Sequence, residues 1–188
     1  MTRSVQLMVA MAGGILLVLM WSSPCAVAQS ASEEDVKTAY IYNFVKFIDW
    51  PPEAFNAPNA VITFCALGRS PAADKIASLQ GRAVVNHQIS VRHLQSPEEL
   101  SGCHVIFLAA SAGKHQQKLL QLAHGVPALL IGEAPGFARA GGTINFFMEN
   151  GKVAFEINPE SAEGSRLKIS SKVLALARIV TGGERRVQ

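Results

Sequence analysis

Three short runs in which nearly every residue is apolar set the limits on this fold. They cover residues 61–67, 105–108 and 128–131. Their β-branched and aromatic content suits strands. Their apolar character does not alternate along the chain, so each is expected to be buried on both faces. Strands of that kind belong to a sheet covered by helices on both sides. Helical patterns over residues 71–79 and 114–123 supply the cover, with Leu119, Leu120 and Leu122 facing inward and Gly125 closing the second. The expected class is therefore α/β, with a mixed, partly parallel sheet and helices on both faces.

The rest of the chain fits around that sheet. Ser32 followed by Glu33, Glu34 and Asp35 reads as a helix start, a hydroxyl cap with acids at the positive end of the dipole. Val36, Tyr40, Phe44 and Phe47 fall on one face of that helix, and Trp50-Pro51-Pro52 ends it. Residues 83–94 read as extended, with a break near Asn86 and His87. Ser96-Pro97-Glu98-Glu99 predicts a short capped helix that Gly102 stops. Asn150-Gly151 predicts a tight turn, making residues 143–148 and 152–157 a C-terminal β-hairpin. Asn158-Pro159 opens another capped segment. Residues 171–180 predict a last helix, with Leu174, Ala177 and Arg178 at helical spacing, before a polar tail from Gly182.

The N-terminus reads as an export signal. Arg3 precedes an apolar run over residues 5–20, shorter than the ~20 residues a stable membrane-spanning helix needs. Ala26-Val27-Ala28 matches a small-x-small cleavage site. Residues 1–28 are thus expected to be a signal peptide. Residues 29–188 would then be a single periplasmic domain that does not span the membrane. Losing Arg3 lowers the formal charge of +3 to about +2. That balance, with no basic run interleaved with aromatics, gives no support for nucleic-acid binding. Cleavage also removes Cys25 and leaves Cys65 and Cys103. An even count in an oxidising compartment suggests one disulfide, and two unpaired buried thiols are the alternative.

Catalytic signatures are missing from the sequence. There is no phosphate-binding loop, and no elbow motif surrounds Ser111 or Ser170. His87, His93, His104, His115 and His124 stand singly, without zinc-ligand spacing, and read as surface or loop residues. The expectation is a protein without catalytic residues, metal or cofactor.

Six motifs recur in order along the chain. Tyr42-Asn43-Phe44-Val45-Lys46-Phe47 leads to Trp50-Pro51. Gly102-Cys103-His104-Val105 follows, ending in Phe107. Next come Gly132 with Pro135-Gly136-Phe137, then Gly141-Gly142-Thr143-Ile144-Asn145-Phe146. Phe155-Glu156-Ile157-Asn158 and Ile169-Ser170-Ser171-Lys172 complete the set. Asn43, Lys46, Trp50, Gly141, Gly142 and Asn145 are the positions in them expected to shape the fold. Together the motifs resemble the YfiR family of periplasmic proteins, over roughly residues 36–180.

The resemblance implies regulation by binding. It implies a periplasmic homodimer with a mixed sheet. It also implies a grip on the periplasmic region of an inner-membrane diguanylate cyclase, which lowers cyclic di-GMP and biofilm formation. It pairs Cys65 with Cys103. Some members carry a second cysteine pair near the Gly-Gly stretch, and this chain has none. Phe147, Ile169 and Leu174 are candidate anchors for such a partner, with service in the core as the competing role for each. A periplasmic domain that binds or senses a small ligand for another receptor is the alternative function.

Overall fold

A computed structural model describes residues 31–57 and 59–182. The expected signal peptide and its cleavage site lie outside these residues. Helix α1 (Glu33–Phe44) leads into strand β1 (Ile48–Asp49). Then come β2 (Ile62–Leu67), α2 (Pro71–Ile76), β3 (Ala83–Val84), β4 (His87–Leu94) and β5 (Val105–Leu108). The second half holds α3 (Gln116–Leu122), β6 (Leu129–Gly132), β7 (Ile144–Glu149) and β8 (Lys152–Ile157). The chain closes with α4 (Pro159–Gly164), β9 (Lys168–Ile169), α5 (Ser171–Leu174) and β10 (Arg178–Ile179).

Eight strands form one sheet in the order β10-β8-β7-β6-β5-β2-β4-β3. The five in the middle, β4, β2, β5, β6 and β7, are parallel. The antiparallel β7–β8 hairpin follows them, and β10 adds parallel to β8. Asn150 and Gly151 both have positive φ, +49° and +72°, which the predicted tight turn requires. One face of the sheet packs on α1, α2 and the C-terminal elements through Phe64, Phe107, Ile131 and Phe146. The other packs on α3 and Phe137 through Leu67, Ile106, Leu108 and Leu130. The expected mixed α/β class, with helices on both faces, is the class observed.

Several local expectations differ from the structure. The last helix is not residues 171–180: α5 stops at Leu174, and Arg178 and Ile179 pair with Glu156 and Ile157. The open edge of β8 offers backbone partners there, and Ile179-Val180 is β-branched. Helix α1 tightens into a 3₁₀ turn at Val45–Phe47. Three residues per turn rotate the following side chains. The helix buries Lys37, Thr38, Ile41 and Phe44, and through the turn Val45 and Ile48 continue the buried side while Phe47 emerges 37% exposed. Pro97–Leu100 is likewise a 3₁₀ turn, and the Glu99 carboxylate accepts from Gln95 N–H instead of Ser96 (3.2 Å).

The disulfide solves a geometric problem. Cys65 is in register with Ile106, three residues beyond Cys103. An extended chain would place Cys103 about 10 Å along the sheet from Cys65, beyond the ~7 Å limit for a bridge. The chain is not extended there. Cys103 N–H donates to Leu100 C=O (3.0 Å), and Gly102 between them has φ of +75°. This is a type II turn, whose third position needs positive φ and hence glycine. It brings the Cα atoms of Cys65 and Cys103 to 5.8 Å, and the two are bridged. Both cysteines sit in the α3-side core.

The bridge closes a loop with a sequence separation of 38. In the chain-entropy view that contributes ~4 kcal/mol. The Cys65→Ala/Cys103→Ala double variant should lose about 2–4 kcal/mol in denaturant unfolding. Identical unfolding curves for oxidised and reduced protein would refute this assignment.

Candidate functional site

The first and last motifs meet in space. Strand β1 pairs antiparallel with β9, Ile48 opposite Ile169, and Ser170 N–H donates to Phe47 C=O (2.9 Å). Ser170 then caps α5 by accepting from Lys172 N–H (3.3 Å). Ile169 and Leu174 are both half-buried and line one shallow groove of about 170 Å³, beside Leu167 and Pro159. Phe147 is not in it. Phe146 faces the α1 side, so strand alternation turns Phe147 to the opposite face. There the Arg178 guanidinium lies 4.4 Å from its ring centre and pairs with Glu149. The structure thus brings together two of the three candidate anchors. Leu176 (75% exposed) and Ile179 (50%) are further apolar surface residues that the helical reading of this segment obscured. The β-branched Ile179-Val180 pair was the available signal for a strand there.

Asn43 and Lys46 lie outside the core as a local clasp. Lys46 Nζ donates to Asn43 Oδ1 (3.0 Å) and stands 4.2 Å from the centre of the Tyr42 ring. Arg82 approaches the same ring at 4.9 Å, and Tyr42 Oη donates to Ala83 C=O (2.8 Å). This ties the end of α1 to the β3 edge of the sheet. Exposed cation–π contacts of this kind are worth about 0.5–1 kcal/mol each.

Trp50 belongs to an aromatic stack at the opening of the sheet. Phe55 lies between His104 (4.8 Å, 8° between planes) and His87 (4.2 Å, 19°), and Trp50 meets Phe55 edge-on at 5.8 Å. His104 is a loop residue, one of the two expected placements, and it is half-buried as a linker. Its Nδ1 accepts from Thr63 N–H (3.1 Å), which leaves Nε2–H to donate to Ala54 C=O (2.9 Å). Burial, opposed by the bond to Ala54 and reinforced by nearby His87, holds the His104 pKa below its ordinary value.

Gly142 and Gly132 flank one ring. Phe137 is fully buried. A Cβ on Gly132 would lie 2.5 Å from its ring, and a Cβ on Gly142 would lie 2.2 Å away. Any other residue at either position would displace the ring. Gly141 has φ of +117°, and its carbonyl accepts from Ser161 Oγ (2.6 Å). Asn145 is buried in register with Gly132 on one side and Glu156 on the other. Its amide donates to Phe146 C=O (3.3 Å), and its Oδ1 has no partner among the described residues.

Two outcomes follow. Gly142→Val should cost at least about 2 kcal/mol through overpacking, and most of that cost should vanish in a Phe137→Ala background. Additive penalties in a double-mutant cycle would contradict the ring contact. For His104, the unfolded state takes up a proton at higher pH than the folded state. Stability is therefore complete above about pH 6.5 and declines as pH falls toward the lowered folded value. Urea midpoints measured between pH 7.5 and 5 should show this decline, and His104→Gln should flatten it.

A family model described as YfiR/HmsC-like matches residues 34–178. The match runs from the first turn of α1 to the first residue of β10 and takes in the β1–β9 pair, the Phe137 slot and the disulfide. The chain belongs to the YfiR/HmsC-like family.

Proposed function

We propose that this protein is exported to the periplasm and represses a membrane-bound diguanylate cyclase by binding its periplasmic region. It is a regulator, not an enzyme, and it acts as a homodimer. The observation that carries this reading is the family match, which spans nearly the whole described fold. The N-terminal run ending in Ala26-Val27-Ala28 supports export. The Cys65–Cys103 bridge suits an oxidising compartment. No helix among the described residues is long and apolar enough to cross a membrane.

A repressor must favour the off state of its target. Moving a cyclase from mostly off to mostly on requires a differential affinity of about 5 kcal/mol. Energy of that size comes from a few desolvated apolar anchors. The groove of Ile169 and Leu174 is the proposed anchor site. Phe147 with Arg178 is a separate contact on the other face.

Deleting the gene should raise intracellular cyclic di-GMP and surface attachment, and the full-length gene should reverse both. A version lacking residues 1–28 should not. The Ile169→Glu/Leu174→Glu variant should accumulate with its disulfide formed yet leave cyclic di-GMP high. Unchanged cyclic di-GMP on deletion, or equal complementation by the unexported version, would rule the reading out.

A further inference from the structure

The parallel strands reverse their order of addition between β2 and β5. The chain steps from β2 outward to β4, then returns across β2 to β5, β6 and β7. At such a point the loops leaving two neighbouring strands diverge to opposite faces. The crevice at their C-terminal ends is where sheets of this kind take ligands. Here the crevice has two sides, and they differ in charge.

On the α1 side a cleft of about 310 Å³ is lined by carboxylates of the chain itself, Glu33, Glu34 and Glu133. Glu133, just after β6, accepts from Lys37 Nζ (3.0 Å) through Oε2 and from Ala110 N–H (3.1 Å) through Oε1. Lys37 also pairs with Glu33 (2.6 Å). The Lys37 and Glu133 side chains are only 10% and 8% exposed. An anion is already held there, and it belongs to the protein.

Over the ends of β2 and β4, toward the segment that follows β5, no carboxylate among the described residues pairs with a cation in this way. A cleft of about 590 Å³ opens over the buried side chains of Leu67 and Leu94. Arg69, Lys114, His93 and His115 line it, with Asp74 as its one acid among the described residues. Neither Arg69 nor Lys114 has an ion-pair partner among the described residues. Arg69 follows β2, and the 3₁₀ helix Ala110–His115, which carries Lys114, is clamped to it. Ser111 Oγ donates to Arg69 C=O (2.6 Å) and accepts from Arg69 N–H (2.9 Å). A Cβ on Gly68, whose φ is +86°, would lie 2.5 Å from Ala112 Cβ.

We propose that this cleft binds a small organic anion, a carboxylate or phosphate carried on an apolar body. The volume falls in the range of small-molecule pockets, mostly ~300–1,000 Å³. Arg69 offers a planar fork suited to either anion, and Lys114 a second positive charge. The imidazoles of His93 and His115 add N–H donors. Leu67 and Leu94 beneath them suit an apolar body, which inorganic phosphate lacks. The site does not rest on the repressor reading, because binding is measured on this protein alone.

The test is an amide chemical-shift titration of the protein as isolated from cells. The probes are phenyl phosphate, benzoate, inorganic phosphate and phenol. Phenyl phosphate or benzoate should shift the amides of residues 68–70 and 111–115 saturably, and whichever binds more tightly identifies the head group. Inorganic phosphate and phenol should bind at least about fivefold more weakly, ~1 kcal/mol. Arg69→Gln/Lys114→Gln should weaken binding at least about tenfold and leave distant amides unmoved. Lys114→Gln alone should have a smaller effect in the same direction. Lys152→Gln/Lys168→Gln, which removes the same net charge elsewhere, should change nothing. Three results would overturn the proposal. One is no saturation by either anion below ~10 mM. Another is phenol binding as tightly as the anions. The third is equal loss in the Arg69/Lys114 and Lys152/Lys168 variants, which would mark a diffuse charge effect.

Discussion

Every residue of β5 and β6 is buried, so the middle of this sheet can meet water on neither side. Unpaired backbone and apolar side chains there must be covered from both directions. One cover comes from α1 and α2, the other from α3 and the segment holding Phe137. The crossovers that supply these covers oblige the chain to add strands first on one side of β2 and then on the other. The reversal of strand order, and with it the crevice at the strand ends, is a consequence of covering a sheet on two faces.

Three devices hold the covers in place, and each follows from local chemistry. Gly102 permits the turn that swings Cys103 over β2, and the disulfide then fastens the β4–β5 crossover to the sheet. Gly132 and Gly142 leave a slot one ring wide, which Phe137 fills. His104 bridges Thr63 and Ala54 and so anchors the segment after Trp50 to the start of β2. All three lie in family motifs. Their conspicuous residue types thus have physical duties inside the fold, and the proposed binding functions fall to more ordinary side chains at its periphery.

The periphery divides by chemistry. The C-terminal segment presents half-buried and exposed aliphatic side chains around Ile169, Leu174, Leu176 and Ile179. The crevice at the strand ends presents Arg69 and Lys114, cations without an ion-pair partner among the described residues. The first suits a protein surface that excludes water. The second suits a small charged ligand. They are built from different elements, so the two kinds of binding would not compete for the same residues.

Much of the fold was legible in the sequence because burial and turn geometry leave local marks. Largely apolar runs mark β2, β5 and β6, Asn150-Gly151 marks the hairpin, and Ser32 and Asn158 mark helix caps that the structure retains. Of the helix expected over residues 171–180, Ser171–Leu174 forms, and only the open edge of β8 decides that Arg178 and Ile179 leave it. Helical periodicity places Phe47 inward, but the 3₁₀ turn at Val45 shifts the phase by a fraction that periodicity does not record, and Phe47 faces out. The candidate sites were less legible still. Ile169 meets Ile48 across a long stretch of chain, and Arg69 and Lys114 line one cleft only because β2 and β5 are neighbours. The long buried strands and the tight turns depend on residues near one another in the chain and are therefore written in the sequence, whereas the short strands β1, β9 and β10 are not. Tertiary structure alone decided which surfaces and charges converge, since that depends on the order in which the strands are laid down.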